Sequence, residues 1–265
     1  MKIKQVTYII LLTLLFTGCT EFFAGPDLQD NWEITEQEKI VLHHRPEGFS
    51  GTESPTAEEA ATIAANQYFY YQRIQDSIGK KFDDLVLIYL FNKDEAEEHI
   101  GTNGGGHSIP KFNAFYYTFL DYQNEFTDNY GIVNPAVGAH EMVHVITHRV
   151  LGYPATKLMS EGYANWLDGS YGRYYIEDIV KSYRDKSPEK LLTPDELLEA
   201  GDMADSVYYP NSGVFLKYLV SRFGIVKINS LFTVRKENFK KAFENTCNEK
   251  WEIMVEEYQK YLDEL

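Results

Sequence analysis

The sequence predicts a helix-rich α+β fold with a small N-terminal sheet and a helical C-terminal part. Three observations predict it. The runs with strand character, Leu85–Phe91 and the aromatic stretch 112–119, all precede residue 120. From Asn134 to the C-terminus the apolar residues recur at helical rather than strand spacing. And 265 residues with 44% hydrophobic and 25% charged side chains are enough to enclose a sizeable core.

The first residues stand apart from that fold. Lys2 and Lys4 precede an apolar stretch from Val6 to Phe16, followed by Gly18-Cys19. This is the layout of a secretory signal, too short for a comfortable membrane span. Leu15-Phe16-Thr17-Gly18-Cys19 resembles a bacterial lipobox, with Phe16 where Leu usually stands. The expected product is therefore an exported chain, anchored to a bacterial cell membrane through a lipid on Cys19. Loss of residues 1–18 removes two lysines and no acid, which carries the net charge from −15 to −17. With no Lys/Arg cluster to neutralise phosphates, nucleic acid is not an expected partner. Cys247 is then left without a disulfide partner and reads as a small buried hydrophobe. The divisions expected are a signal peptide over 1–18, a tether over 19–35, an N-terminal part over 36–152 and a helical C-terminal part over 153–265.

Ser54-Pro55-Thr56 followed by Ala57-Glu58-Glu59 starts a helix with acids in its first turn, running to about Ile78. Leu85–Phe91 is a buried strand, and a short helix is expected over 94–99. Residues 101–110, with Gly104-Gly105-Gly106, read as a loop at the rim of a site, and 112–119 as a strand. Asn134-Pro135 then opens a helix, with Asn as cap, which ends at Gly152-Tyr153-Pro154. Further helices are expected over 159–168, 173–185, 193–200, 211–223, 227–232, 237–245 and 248–263.

The 134–151 helix carries His140-Glu141-Met142-Val143-His144. Residues four apart on a helix lie about 40° apart around the axis and about 6 Å along it, so both imidazoles reach one ion. Met142, Val143, Ile146 and Val150 take the opposite side. Catalytic zinc needs three protein ligands and one open position. His148 lies about 12 Å along the axis from His140 and cannot share its ion. Glu161 is better placed, because the turn at Gly152-Tyr153-Pro154 lets its helix fold back beside the first.

His140-Glu141-x-x-His144 followed by Glu161-Gly162-x-Ala164 resembles the gluzincin clan of zinc metallopeptidases, most nearly the peptidase MA-like families of secreted bacterial proteins. The similarity extends from about Leu85 to the end, through Tyr209–Gly224 and the segments around Phe243, Trp251 and Tyr258. It implies a zincin-like fold and one zinc per chain, held by His140, His144 and Glu161. It makes Glu141 the general base and Tyr209 the oxyanion donor, with the adjacent Tyr208 as the other candidate. The substrate it implies is a peptide or protein. An acid often stands four residues after the third ligand in that family, where it orients the first histidine. Asn165 stands there in this chain, and Asp168 is the other candidate to orient His140. The strand over 112–119 would hold an extended substrate by backbone pairing. A zincin-fold surface lipoprotein with little or no turnover, binding a protein or glycan, is the alternative. His43, His44, His99 and His107 read as surface or loop residues, and the tyrosines from Tyr171 to Tyr183 as cleft lining or amphipathic packing.

Overall fold

The computed structural model describes residues 31–47, 54–92, 95–96, 105–119, 125–201 and 203–265. The signal segment, Cys19, His99 and most of the helix expected over 94–99 lie outside them. Strand β1 (Glu33–Gln37) starts inside the stretch assigned to the tether, so the ordered sheet begins earlier than the sequence reading placed it. None of the described helices is long and apolar enough to cross a membrane.

β1 pairs antiparallel with β2 (Ile40–His44) across a two-residue turn in which Glu38 takes a positive φ. Helix α1 (Ala57–Ile78) then crosses over to β3 (Val86–Phe91), which lies parallel to β2, as a crossover helix requires. α1 starts where its sequence says it should. Thr56 accepts from the Glu59 N–H while the Glu59 carboxylate accepts from the Thr56 N–H, and Gly79 closes the helix in the left-handed region. Its buried residues Ile63, Tyr70, Ile74 and Ile78 meet the sheet face formed by Ile40, Leu42, Val86, Ile88 and Leu90.

Two corrections concern the next segment. The strand expected over 112–119 is shorter: β5 covers Ala114–Thr118, and Pro110–Phe112 form a single 3₁₀ turn closed by Asn113 in the left-handed region. Part of the expected glycine loop is itself a strand, β4 (Gly106–Ile109), antiparallel to β5. The sheet order is β1-β2-β3-β5-β4, so β4 is its edge and β5 is paired on both sides. The substrate-pairing role expected for 112–119 therefore fails, because the backbone of β5 is already occupied by β3 and β4. Gly105 and Gly106 masked the strand in the sequence, since glycine weakens strand patterning.

The helix expected from Asn134 begins only at His140, as α2 (His140–Leu151). Asn134 has φ 47°, and its side-chain oxygen accepts from the Phe126 N–H at 2.8 Å and from Arg173 at 3.0 Å. It closes the preceding loop instead of capping the helix. After Gly152, at φ 96°, the chain reverses into α3 (Lys157–Asp168), capped by the Thr156 hydroxyl. A hairpin of β6 (Ser170–Tyr171) and β7 (Tyr174–Tyr175) delays the helix expected from 173, which becomes α4 (Ile176–Lys186).

α5 (Pro194–Glu199) has its own capping box, from Thr193 and Glu196. α6 (Asp205–Phe223) starts six residues before the expected 211 and runs through Pro210. Proline cannot donate to the carbonyl four residues back. That carbonyl, of Ser206, accepts instead from the Tyr183 hydroxyl at 2.7 Å. α7 (Ile225–Asn229), α8 (Lys236–Cys247) and α9 (Trp251–Glu264) complete the C-terminal part. Cys247 is buried there, and burial pushes its thiol up to about 11. α3 lies between α2 and α6. Its crossing with α6 is closed by two glycines. A Cβ on Gly213 would stand 2.8 Å from Asn165 Cβ, and one on Gly162 would stand 3.3 Å from the Ser212 carbonyl oxygen.

Candidate metal centre

His140 and His144 rise from the first two turns of α2, and Glu161 faces them from α3. The three donor atoms form a nearly regular triangle. His140 Nε2 and His144 Nε2 are 3.2 Å apart, and Glu161 Oε2 is 3.4 Å from the first and 3.5 Å from the second. Tetrahedral zinc, with bonds of about 2.0–2.2 Å to nitrogen and oxygen, sets neighbouring donors about 3.3–3.5 Å apart. The fit extends to the chemistry of the donors. Glu161 Oε2 is buried and accepts no hydrogen bond, an arrangement that is costly for a carboxylate unless a cation or donor occupies the space before it. Two imidazoles and one carboxylate are a zinc-type set with a fourth position left over. Among the described residues this is the one group of three or more His, Cys, Asp and Glu side chains that could hold a metal ion.

The electrostatics follow from this packing. Burial would push the Glu161 carboxyl up, but the facing imidazoles of His140 and His144 hold it well below the usual carboxylate range. For His140 burial acts downward, yet Glu161, Glu141 and Asp168 together carry it up to about 9.

Glu141 follows His140 on α2 and is buried. Edge strand β4 lies directly on it: a Cβ on Gly106 would stand 2.8 Å from Glu141 Cγ and 2.4 Å from the Tyr117 ring. Tyr209, on the second turn of α6, stacks on the His140 ring with centroids 5.7 Å apart and planes 22° apart. Burial and then the charges of Glu161, Asp205 and Glu141 keep its phenol well above the ordinary value, so it remains a proton donor at neutral pH. Tyr208 points away. It is fully buried, and its hydroxyl donates to the Leu197 carbonyl at 2.9 Å. Of the tyrosines from Tyr171 to Tyr183, Tyr171 meets Tyr209 edge-on, while Tyr183 holds the Ser206 carbonyl.

The residues around the ligands differ from the expectation. Asn165 Nδ2 donates to the Glu161 carbonyl at 2.8 Å and its Oδ1 has no partner, so it makes no hydrogen bond to His140. Asp168 makes none either; its carboxylate accepts from the Ala139 N–H and from Ser170. The side chain that meets the Nδ1 of a ligand is Ser160, whose Oγ lies 3.4 Å from His144 Nδ1. Its position one residue before Glu161 was the available signal. His148 is outside the donor group, with both ring nitrogens buried and unpartnered and its pKa pushed down to about 4, chiefly by burial.

Of the other histidines, His44 corrects the surface expectation. It is 1% exposed, bonded to Thr35 and to the Arg45 carbonyl. His43 is half-buried in a stack on Tyr89, and His107 is exposed on β4. No protein-family model matches this sequence, and no curated protein matches it.

Proposed function

We propose that this protein is a zinc-dependent peptidase of the gluzincin type. The observation that carries the reading is the triangle of His140, His144 and Glu161, with Glu141 and Tyr209 on its flanks. His140, His144 and Glu161 would hold one zinc ion, which when bound polarises a water and the scissile carbonyl. Glu141 takes a proton from the attacking water and passes it to the leaving nitrogen. The Tyr209 phenol donates to the oxygen that becomes negative as water adds. An extended peptide lies along the outer side of β4, the last strand of the sheet among the described residues, and pairs with its main chain. Export and a lipid on Cys19 belong to the same proposal, with the membrane reached through that lipid; loss of fatty-acid labelling in Cys19→Ala checks it.

The alternative, a surface lipoprotein with little turnover that binds a protein or glycan, draws on one observation. Among the described residues, no carboxylate besides the facing Glu161 reaches the ring of His140 or His144, and such partners strengthen metal-bound histidines. Zinc content and cleavage of an unbiased peptide library separate the two. One zinc per chain with cleavage that disappears in Glu141→Gln supports the peptidase. Absence of cleavage supports the alternative, and a purified chain with no affinity for zinc overturns the peptidase.

A further inference from the structure

Helix α2 begins without a cap of its own. Ala139 occupies the capping position and offers no side chain to the free N–H groups of the first turn. Those groups need acceptors, and the helix dipole favours a negative one. The acceptor comes from the last residue of α3: Asp168 Oδ1 receives the Ala139 N–H at 2.8 Å, while Oδ2 receives the Ser170 hydroxyl at 2.7 Å. The approach is close: a Cβ at Gly138 would stand 2.9 Å from Asp168 Oδ1, so a side chain there would displace the carboxylate from the Ala139 N–H. The charge-assisted bond joins the residue just before His140 to the helix that carries Glu161.

We infer that Asp168 is a positioning residue of the metal centre, which fixes the separation of His140 from Glu161 through the backbone of residue 139. It acts by locking together the two helices that carry the ligands, without touching any ligand ring. Three donors bind an ion tightly only when their spacing is set beforehand, since otherwise binding must also order the helices. The inference rests on the zinc reading above.

The test compares wild type with Asp168→Ala, Asp168→Asn, Gly138→Ala and the Asp168→Ala/Gly138→Ala pair. Zinc dissociation constants are measured by chelator competition, alongside melting of the metal-free proteins and the visible absorption of the cobalt-loaded ones. Asp168→Ala should weaken zinc about 10–100-fold, the range for loss of a residue supporting the ligands, and alter the cobalt bands. Asp168→Asn keeps an acceptor oxygen and should retain most of the affinity. Gly138→Ala keeps the carboxylate but fills the space before it, and should weaken zinc as well. The double variant should be no worse than Asp168→Ala alone, because both changes break one contact. Wild-type zinc affinity in both Asp168→Ala and Gly138→Ala, whatever their melting points, overturns the inference and leaves the zinc reading intact. A double variant whose losses add in full also overturns it. If wild type itself binds no zinc, the functional reading falls first and this inference with it.

Discussion

The ring of Tyr209 lies parallel to that of His140, 5.7 Å away, while its neighbour Tyr208 is turned into the core and bonded to Leu197. Adjacent residues on one helix point about 100° apart, so only one of them can face the donors. Tyr209→Phe should therefore lower kcat about 100- to 1000-fold with zinc content unchanged, as for other lost oxyanion donors. Tyr208→Phe should leave kcat alone and destabilise the fold by about 1–3 kcal/mol, because a buried carbonyl loses its donor. Steady-state kinetics and melting curves on both variants check the pair, and a slow Tyr208→Phe would reverse the assignment.

Glu161→Ala and His140→Ala should each remove most of the zinc, since two protein ligands rarely hold it tightly. Elemental analysis of the purified variants measures this. Full occupancy in Glu161→Ala would mean that the carboxylate facing the two imidazoles at 3.4 and 3.5 Å is not a ligand.

Glu141→Gln should keep the metal and lose nearly all turnover, because an amide cannot accept the water proton. Gly106→Ala should produce a milder form of the same defect. Its new methyl would overlap Glu141 Cγ, the Tyr117 ring and the Tyr116 carbonyl oxygen, so β4 and the Glu141 side chain must move apart, while none of the three donors is among the atoms it meets. We expect a fall in kcat of at least about tenfold at constant zinc content, in line with the sensitivity of catalytic groups to misplacement of about 1 Å. Turnover at the wild-type rate in Gly106→Ala would show that β4 does not position the base.

His43 adds an acid-sensitive contribution to stability. Burial, with help from His44, pushes it from 6.5 down to about 4. The folded state thus binds fewer protons at His43 than the unfolded state between those values, so the contribution of this residue to stability is complete above about pH 6.5 and is lost as pH falls towards 4. His43→Phe preserves the stack on Tyr89 and removes the proton site. Its melting temperature should fall less than that of wild type between pH 6.5 and 4; identical slopes would show that His43 does not contribute.

The parts of the molecule legible in the sequence are those governed by local rules. The ends of α1 follow from Thr56, Glu59 and Gly79, which act within a turn of themselves. Likewise, residues four apart on one helix had to bring His140 and His144 together. The parts that were not legible depend on distant partners. Asn134 looked like a cap, but Phe126 and Arg173 take its side chain and the helix starts six residues later. β4 has little strand character of its own and exists because β5 pairs with it. Pro210 should have ended or delayed a helix, yet Tyr183 supplies the donor that proline lacks. Asp168 was in view as a partner for the His140 ring, but a backbone N–H, which no side-chain pattern reveals, receives it instead.

The two glycines at the crossing of α3 and α6 give the Glu161-Gly162 pair a meaning beyond ligation. A Cβ at Gly213 would come within 2.8 Å of Asn165 Cβ and one at Gly162 within 3.3 Å of the Ser212 carbonyl oxygen, so the helices touch almost backbone to backbone. Tyr209 stands one turn from Gly213 on α6, and Glu161 is the immediate neighbour of Gly162 on α3. A single methyl group inserted at this crossing would act as a shim. It would push α6 away from α3, and with it the Tyr209 phenol that the proposed reaction uses as a donor. The glycine beside the ligand is thus a dimensional tolerance. In the proposed peptidase, a chain could keep every donor and still lose turnover by thickening this one joint.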